Sequence, residues 1–386
     1  MEPASLEHLA VLRAKSGAEV DKEIYAFKDK GGRDIGLRFD LTVGMTRYVC
    51  SRRDLKLPTK LACLGAVWRY DEPQHARYRD PRQWDAEIYG PPSISSDAEV
   101  IDLGRTVFRK LGMEKALIEI GDRRVVQEFI KKVLKVEQPE RTVELMRALD
   151  KVEKKTRTEL LKEYEEKGFA KGDLTKLLDF GMLKGRPERV LGSLQELGLG
   201  SSQELTELKD MLEGRGIKNI EYNLSIVRGI DYYTAVVFEV VDSEHRDLGS
   251  LCGGGRYDLL PRSFGRPDLS ATGCAGGIDR AMLSLSKEKR SETTLAFVAC
   301  ASRDVYSKAL GVLSQLRTEG IRAECSLGVK SLGKQLEDAS DLGARWSVIV
   351  GKDEVAKGVV TLRDMRDRSE RRLPFEEALG AIRSSS

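Results

Sequence analysis

The sequence has few of the residues that usually announce a chemistry. It has only three histidines, His8, His75 and His245, too few and too separated for a metal cluster or a Ser-His-Asp arrangement. Its six cysteines, at 50, 63, 252, 274, 300 and 325, include no CxxC pair, which argues against a zinc site. Scattered through apolar or glycine-rich runs, they predict reduced thiols in a cytoplasmic protein. No apolar run approaches the roughly 18 residues of a membrane span, and the residues after Met1 have no secretory pattern. Glycine and proline are not in excess, which excludes a disordered or collagen-like chain. Charge of one sign is missing too. The net value of +3 is too small to establish a polyanionic partner, although clustered basic residues would permit one.

What is present suits a folded protein of two or three domains: 386 residues, 40% hydrophobic and 33% charged. Four segments differ in pattern. In residues 1–122, YAFKD, DIGLRFDLT and KLACLGAVWRY read as strands, and DAEVIDLGRTVFRKL (97–111) as a helix with an acidic first turn. That helix carries apolar residues at 100, 101, 103, 107, 108 and 111. Residues 123–215 are rich in Lys, Glu and Leu, and VVQEFIKKVLKV, TVELMRALDKVEKKTRTELLKEYEEKG and QELTELKDMLEGRG show helical spacing. They predict a helical insertion within the first domain. Strand-like sequence returns over 216–290. From about 294 a β/α alternation predicts a separate C-terminal domain, 294–386, with GVVTLRDM as its last strand.

Three stretches concentrate polar groups. In WRYDEPQHARYRD (68–80), Arg69, Arg77 and Arg79 crowd between two predicted strands. Arginine presents a planar fork of donors suited to phosphate and carboxylate. Residues 69 and 83 are placed to face each other across the hairpin, and strand alternation puts Gln83, Asp85 and Glu87 on one face. Such a surface suits a ligand with both a phosphate and an ammonium group. A surface hairpin whose arginines pair with Asp71, Glu72 and Asp80 has the same composition. In RGIDYYTAVVFEV (228–240), a charge, an acid and two tyrosines stand at the entry of a β-prone run; plain aromatic packing is the other reading. CGGGRYD (252–258) and TGCAGGIDRAM (272–282) let a flat ring approach the backbone. They place Arg280 in the first turn of a helix, where the dipole disfavours a cation and a ligand anion would explain it. Glycines serving only as turns remain the alternative there.

Taken together, these stretches resemble the histidyl-tRNA synthetase family of class II aminoacyl-tRNA synthetases, over nearly the whole chain. WRYDEPQHARYRD with RQWDAEIYG resembles motif 2, TGCAGGIDRAM resembles motif 3, and RGIDYYTAVVFE resembles the stretch marking the histidine-specific member. KSGAEV, DKGGRDIGLRFDLT and SLGKQLEDASDLGA match in order and spacing. The resemblance implies an α+β fold: an antiparallel sheet with flanking helices, a helical insertion, and a C-terminal α/β anticodon-binding domain. It implies ligation of histidine to tRNA(His) through a histidyl-adenylate, with ATP as substrate and Mg2+, in a homodimer.

By the same resemblance, Arg69 clamps the α-phosphate and the histidine carboxylate, Arg77 meets the β/γ-phosphates, Arg280 the γ-phosphate, and Arg228 stands in the place of the catalytic arginine. Asp40, Thr42, Gln83 and Glu87 orient histidine and hold its amine, while Tyr232 and Tyr233 line the imidazole pocket. Tyr78 and Arg79 fall in a loop where acceptor-end contacts occur. Lys330, Lys334, Lys352 and Lys357 suit RNA backbone contacts, or equally a solvated surface.

The chain departs from the family pattern at several places. It starts near the end of motif 1, which belongs to the dimer interface. Asp40 stands where many members have Glu, Ala76 and the RDP at 79–81 replace a glycine and an RE-aromatic step, and Ala235 replaces a glycine. Pro81 lacks a backbone donor and predicts a bend in the outgoing strand. A non-catalytic relative, serving as a regulatory subunit or tRNA-sensing module, is the alternative within the same fold.

Overall fold

The computed structural model describes residues 1–386 apart from 15–19, 71, 73–77, 153–154, 228–231, 247–248, 286–295, 329 and 385–386. Two compact units divide the chain, Met1–Ser286 and Lys287–Ser386.

In the first unit, β1 (Leu6–His8), α1 (Leu9–Arg13), β2 (Ala26–Lys28) and β3 (Asp34–Leu37) come first, and the three strands form a small antiparallel sheet in the order β1-β3-β2. Next come α2 (Thr42–Ser51), β4 (Thr59–Ala66), β5 (Arg82–Gly90), α3 (Ile94–Lys110) and β6 (Ala116–Asp122). The helical stretch holds α4 (Arg123–Lys132), α5 (Pro139–Asp150), α6 (Arg157–Glu166), α7 (Lys171–Gly181), the short strand β7 (Lys184–Gly185), α8 (Pro187–Glu196) and α9 (Ser202–Gly214). Last are β8 (Ile220–Asn223), β9 (Val236–Asp242), β10 (Ser250–Arg256), α10 (Leu259–Ser263), β11 (Ser270–Gly277) and α11 (Ile278–Ser284).

The main sheet runs β4-β5-β11-β10-β9-β6-β8-β7. Every neighbouring pair is antiparallel except β6–β8. One face is covered by α3, which begins at Ile94, three residues before the predicted start. Its buried face uses Ala98, Val100, Ile101, Gly104 and Phe108, while Leu103 and Leu111 are 40% and 41% exposed. Gly104 takes the contact expected of Leu103: a Cβ there would lie 3.5 Å from Phe238 and 3.6 Å from Cys252 and Val240. The helix therefore rides close to the sheet. Asp97 serves as one half of a buried ion pair with Arg256 of β10, at 2.7 Å. Breaking such a pair by removing one partner costs about 3–5 kcal/mol.

The stretch TVELMRALDKVEKKTRTELLKEYEEKG is divided between α5 and α6. Thr156 and Glu159 form a reciprocal capping box that starts α6. Leu149, Leu177, Leu194 and Leu208 of the helical stretch belong to the same core cluster as Ile118 and Phe238 of the sheet.

The second unit holds β12 (Ala296–Cys300), α12 (Tyr306–Thr318), β13 (Ala323–Cys325), α13 (Leu332–Asp341), β14 (Trp346–Val350), α14 (Lys352–Lys357), β15 (Val360–Asp364), β16 (Glu370–Leu373) and α15 (Phe375–Arg383). Its sheet order is β13-β12-β14-β15-β16, with β12 parallel to both neighbours and the last two strands antiparallel. GVVTLRDM is therefore not the last strand. β16 exposes Glu370, Arg371 and Arg372, so its sequence, ERRL, has no apolar alternation to announce it. Val298, Leu316, Val348, Leu362 and Ile382 anchor a separate core. Buried Gln335 donates to the carbonyls of Cys300 and Lys330, 2.8 Å each, and accepts from the Cys300 amide at 3.0 Å. Among the described residues, no helix is long and apolar enough to cross a membrane.

Candidate active site

The site begins at the β4–β5 hairpin. Pairing continues past the ends of both strands: the Val67 amide donates to the Pro81 carbonyl (3.1 Å) and the Arg69 amide to that of Arg79 (2.9 Å). Pro81 is accommodated because the ladder uses its carbonyl there. This pairing aims the Arg69 guanidinium inward, where it donates to Phe39 O (2.9 Å) and Gln83 Oε1 (2.8 Å). The predicted facing of residues 69 and 83 is thus present. Both acceptors are neutral oxygens, so neither cancels the arginine charge. The polar chain goes on: Gln83 donates to Asp85 at 2.8 Å, and Asp85 accepts from Thr42 at 3.2 Å. Asp40 accepts from the Val43 amide at 3.1 Å, bracing the start of α2.

Glycine strands form the floor. Gly273 of β11 lies directly opposite Glu87 of β5, and a Cβ on it would stand 1.4 Å from Glu87 Oε2. On Gly254 a Cβ would stand 2.2 Å from the Gly273 carbonyl. Only a bare backbone leaves the Glu87 carboxylate where it is. Its Oε2 accepts from the Tyr257 hydroxyl at 2.5 Å. Tyr257 stacks on Tyr232 (centroids 4.8 Å, planes 16° apart), and Tyr232 meets Tyr233 edge-on at 4.8 Å. Burial, followed by the charge of Glu87, pushes all three phenols well above the usual tyrosine value, so they stay neutral hydrogen-bonding groups.

At the far end, Arg280 occupies the first turn of α11 and donates to the Ser250 carbonyl at 2.7 Å. The neighbouring Asp279 accepts from the Arg82 amide at 3.0 Å, tying α11 to the start of β5.

A single cavity of about 500 Å3 gathers these groups. Asp40, Thr42, Arg69, Gln83, Glu87, Tyr232, Tyr233 and Arg280 all line it, together with Gly254 and Gly273 of the floor. Tyr78 lines it too. Arg79 lies over the Tyr70 ring, 4.8 Å from its centroid. Arg77, Arg228, His75 and Ala76 lie outside the described residues. Sequence reasoning missed Tyr257 and Glu239 as cavity groups. A signal existed for each: Tyr257 follows the glycine strand immediately, and Glu239 is a lone acid inside the apolar run VVFEVV. Among the described residues no group of three or more His, Cys, Asp or Glu is arranged to hold a metal ion. In the second unit, Lys330, Lys334 and Lys352 pair with Asp338, Glu337 and Asp304 at 2.6, 2.7 and 2.5 Å.

The same architecture occurs in solved structures. The crystal structure of histidyl-tRNA synthetase from Nostoc sp. superposes with a TM-score of 0.83 at 24% identity, covering 100% of this chain and 91% of that one. A Bacillus halodurans protein titled an ATP phosphoribosyltransferase regulatory subunit/histidyl-tRNA synthetase gives 0.72 at 24% identity, over 91% and 88% of the two chains. The fold is that of a class II aminoacyl-tRNA synthetase. Residues 1–281 match the family model described as histidyl-tRNA synthetase, and 295–385 match the one described as an anticodon binding domain. The proteins named histidine–tRNA ligase from Pyrococcus horikoshii and Pyrococcus abyssi are 35% and 36% identical, each over 98% of this chain and 89% of the relative. That of Wolinella succinogenes is 33% identical over 95% and 86%. The chain belongs to the histidyl-tRNA synthetase family.

Proposed function

We propose that this chain ligates histidine to tRNA(His) at the expense of ATP, through a histidyl-adenylate. The observation that carries the reading is the convergence, in one cavity, of Arg69, Arg280 and the Glu87–Tyr257 pair. Attack of the histidine carboxylate on the α-phosphorus needs positioning and charge neutralisation more than an acid or base. Arg69, held by two neutral oxygens, is placed to draw the carboxylate and α-phosphate together. Arg228 is assigned to the same phosphate, and Arg77 and Arg280 to the phosphates beyond. The Gln83–Asp85–Thr42 chain with Asp40 suits the substrate amine. Neutral tyrosines and the Glu87 carboxylate suit an imidazole, which offers both a donor and an acceptor nitrogen.

The donor set fits magnesium that arrives with the nucleotide. Such an ion is held by phosphates plus one or two carboxylates, and Glu239 and Asp279 are carboxylates that line the cavity together with Arg280. When bound, the ion would supply charge neutralisation at the phosphates. The second step transfers the histidyl group to the 3′ end of the tRNA. Residues 1–122 and 216–290 are assigned to catalysis, 123–215 to the acceptor arm and 294–386 to the anticodon, in a cytoplasmic homodimer.

Pyrophosphate exchange into ATP, measured with each of twenty amino acids, tests the assignment. Histidine alone should support exchange, and Arg228→Ala should abolish it with the melting curve unchanged. A folded protein that binds tRNA and never exchanges pyrophosphate refutes the ligase assignment.

A further inference from the structure

Glu119 of β6 stands directly opposite Glu239 of β9 in the antiparallel register, so both side chains project from the cavity side of the sheet. Carboxylates in that relation have Cβ atoms about 5 Å apart and repel each other. Glu239 lines the cavity, whereas Glu119 lies one strand further out and is only 3% exposed. Three groups surround it. Lys184 of β7 reaches Oε1 at 2.7 Å, Arg246 reaches the same oxygen at 3.0 Å, and Asn223 of β8 donates to Oε2 at 2.8 Å. Burial pushes this carboxyl up, but the hydrogen bonds and charges outweigh it and hold Glu119 below the usual range, and so ionised.

The two cations come from different parts of the chain. Lys184 belongs to the strand that the helical stretch contributes to the main sheet. Arg246 lies in the turn between β9 and β10, and its carbonyl accepts from the Gly249 amide at 3.0 Å. The next residue, Ser250, holds Arg280 through its carbonyl. Asp242 secures the other side of the turn. It accepts from the Glu244 amide (2.8 Å), bonds His245 Nδ1 (2.8 Å) and accepts from the Ser284 hydroxyl of α11, the helix that carries Arg280.

We propose that Glu119 is a positioning residue for the nucleotide: through Arg246 it fixes the β9–β10 turn so that Ser250 holds Arg280 at the phosphate end, and through Lys184 it ties the helical stretch to that same end. This rests on the assignment of Arg280 to the phosphates. No part of the chain of contacts passes through the Glu87–Tyr257 pocket, so the effect of breaking it falls on ATP and spares histidine. A role confined to holding β6 in the sheet would weaken both substrates together or neither.

The test uses the full chain in histidine-dependent pyrophosphate exchange. If the unaltered protein gives no exchange, the ligase assignment fails by itself, and that result is distinct from those that follow. Glu119→Gln keeps the size and removes the charge. It should raise the KM for ATP about tenfold, the effect of misplacing one charge-assisted hydrogen bond, and leave the KM for histidine within about twofold. Arg246→Met, at a half-exposed position, should reproduce the ATP defect even where Glu119→Gln does not fold. A folded Arg246→Met with unchanged KM for ATP, or a parallel rise for both substrates in either variant, overturns the proposal.

Discussion

Gly273→Ala is the sharpest available probe of the histidine pocket, because the restriction is one of space rather than backbone conformation. The added Cβ would sit 1.4 Å from Glu87 Oε2, 2.4 Å from its Cδ and 2.8 Å from the Ala86 carbonyl. A normal contact needs more than 3 Å, so the carboxylate must retreat by roughly 2 Å, and the clash with Ala86 falls on backbone that cannot rotate away. Overpacking of this kind costs about 1–3 kcal/mol of stability. Retreat also parts Glu87 from Tyr257 and from the imidazole it is assigned to bind. A hydrogen bond to a charged group is worth about 1.5–3 kcal/mol, which corresponds to roughly 10- to 100-fold in affinity. The KM for histidine in pyrophosphate exchange should rise by that factor, with the KM for ATP little changed and the protein still folded. A folded variant whose KM for histidine stays within about twofold would refute both the placement of Glu87 and its assigned role.

Two further outcomes are expected from other parts of the molecule. Gln335→Met removes the partner of the Cys300 amide and of two carbonyls, and should lower stability by about 3 kcal/mol in urea denaturation; a loss under about 1 kcal/mol would contradict the bonding described. Glu119 has a depressed folded-state value, so the stability it confers is present above the ordinary carboxylate range and lost as pH falls through the folded value. The stability gap between the unaltered protein and Glu119→Gln should therefore shrink as pH falls below the ordinary carboxylate range, and a gap that stays constant in equilibrium denaturation counts against the ionised assignment.

Legibility in the sequence followed the range of the interactions. The facing of Arg69 and Gln83 was readable because a hairpin fixes its own register. So was the position of Arg280, since a run of small residues ends where α11 starts. Where packing chose between neighbours, pattern reading went astray: Leu103 looked like a core residue of α3, yet the nearness of the sheet selected Gly104. The division between α5 and α6 was readable in principle from Thr156 and Glu159, but the charged run between Val152 and Leu160 reads equally as a solvated helix face, which concealed the break. β16 carries exposed arginines and relies on its neighbour β15 for its place, so nothing local announces it. The Glu87–Tyr257 bond joins residues 170 positions apart. Likewise the Glu119–Arg246 contact spans 127. No window of sequence contains either pair.

The glycine floor has a consequence for how this pocket can change over time. Where a neighbouring strand's own carbonyl occupies the space of a side chain, as at Gly254, there is no smaller residue to mutate to and no larger one that fits. The glycine positions of the pocket are therefore closed to gradual retuning. Any drift in substrate preference must therefore begin in the side chains that line the cavity, such as Glu87 and the tyrosines, rather than in the strands beneath them.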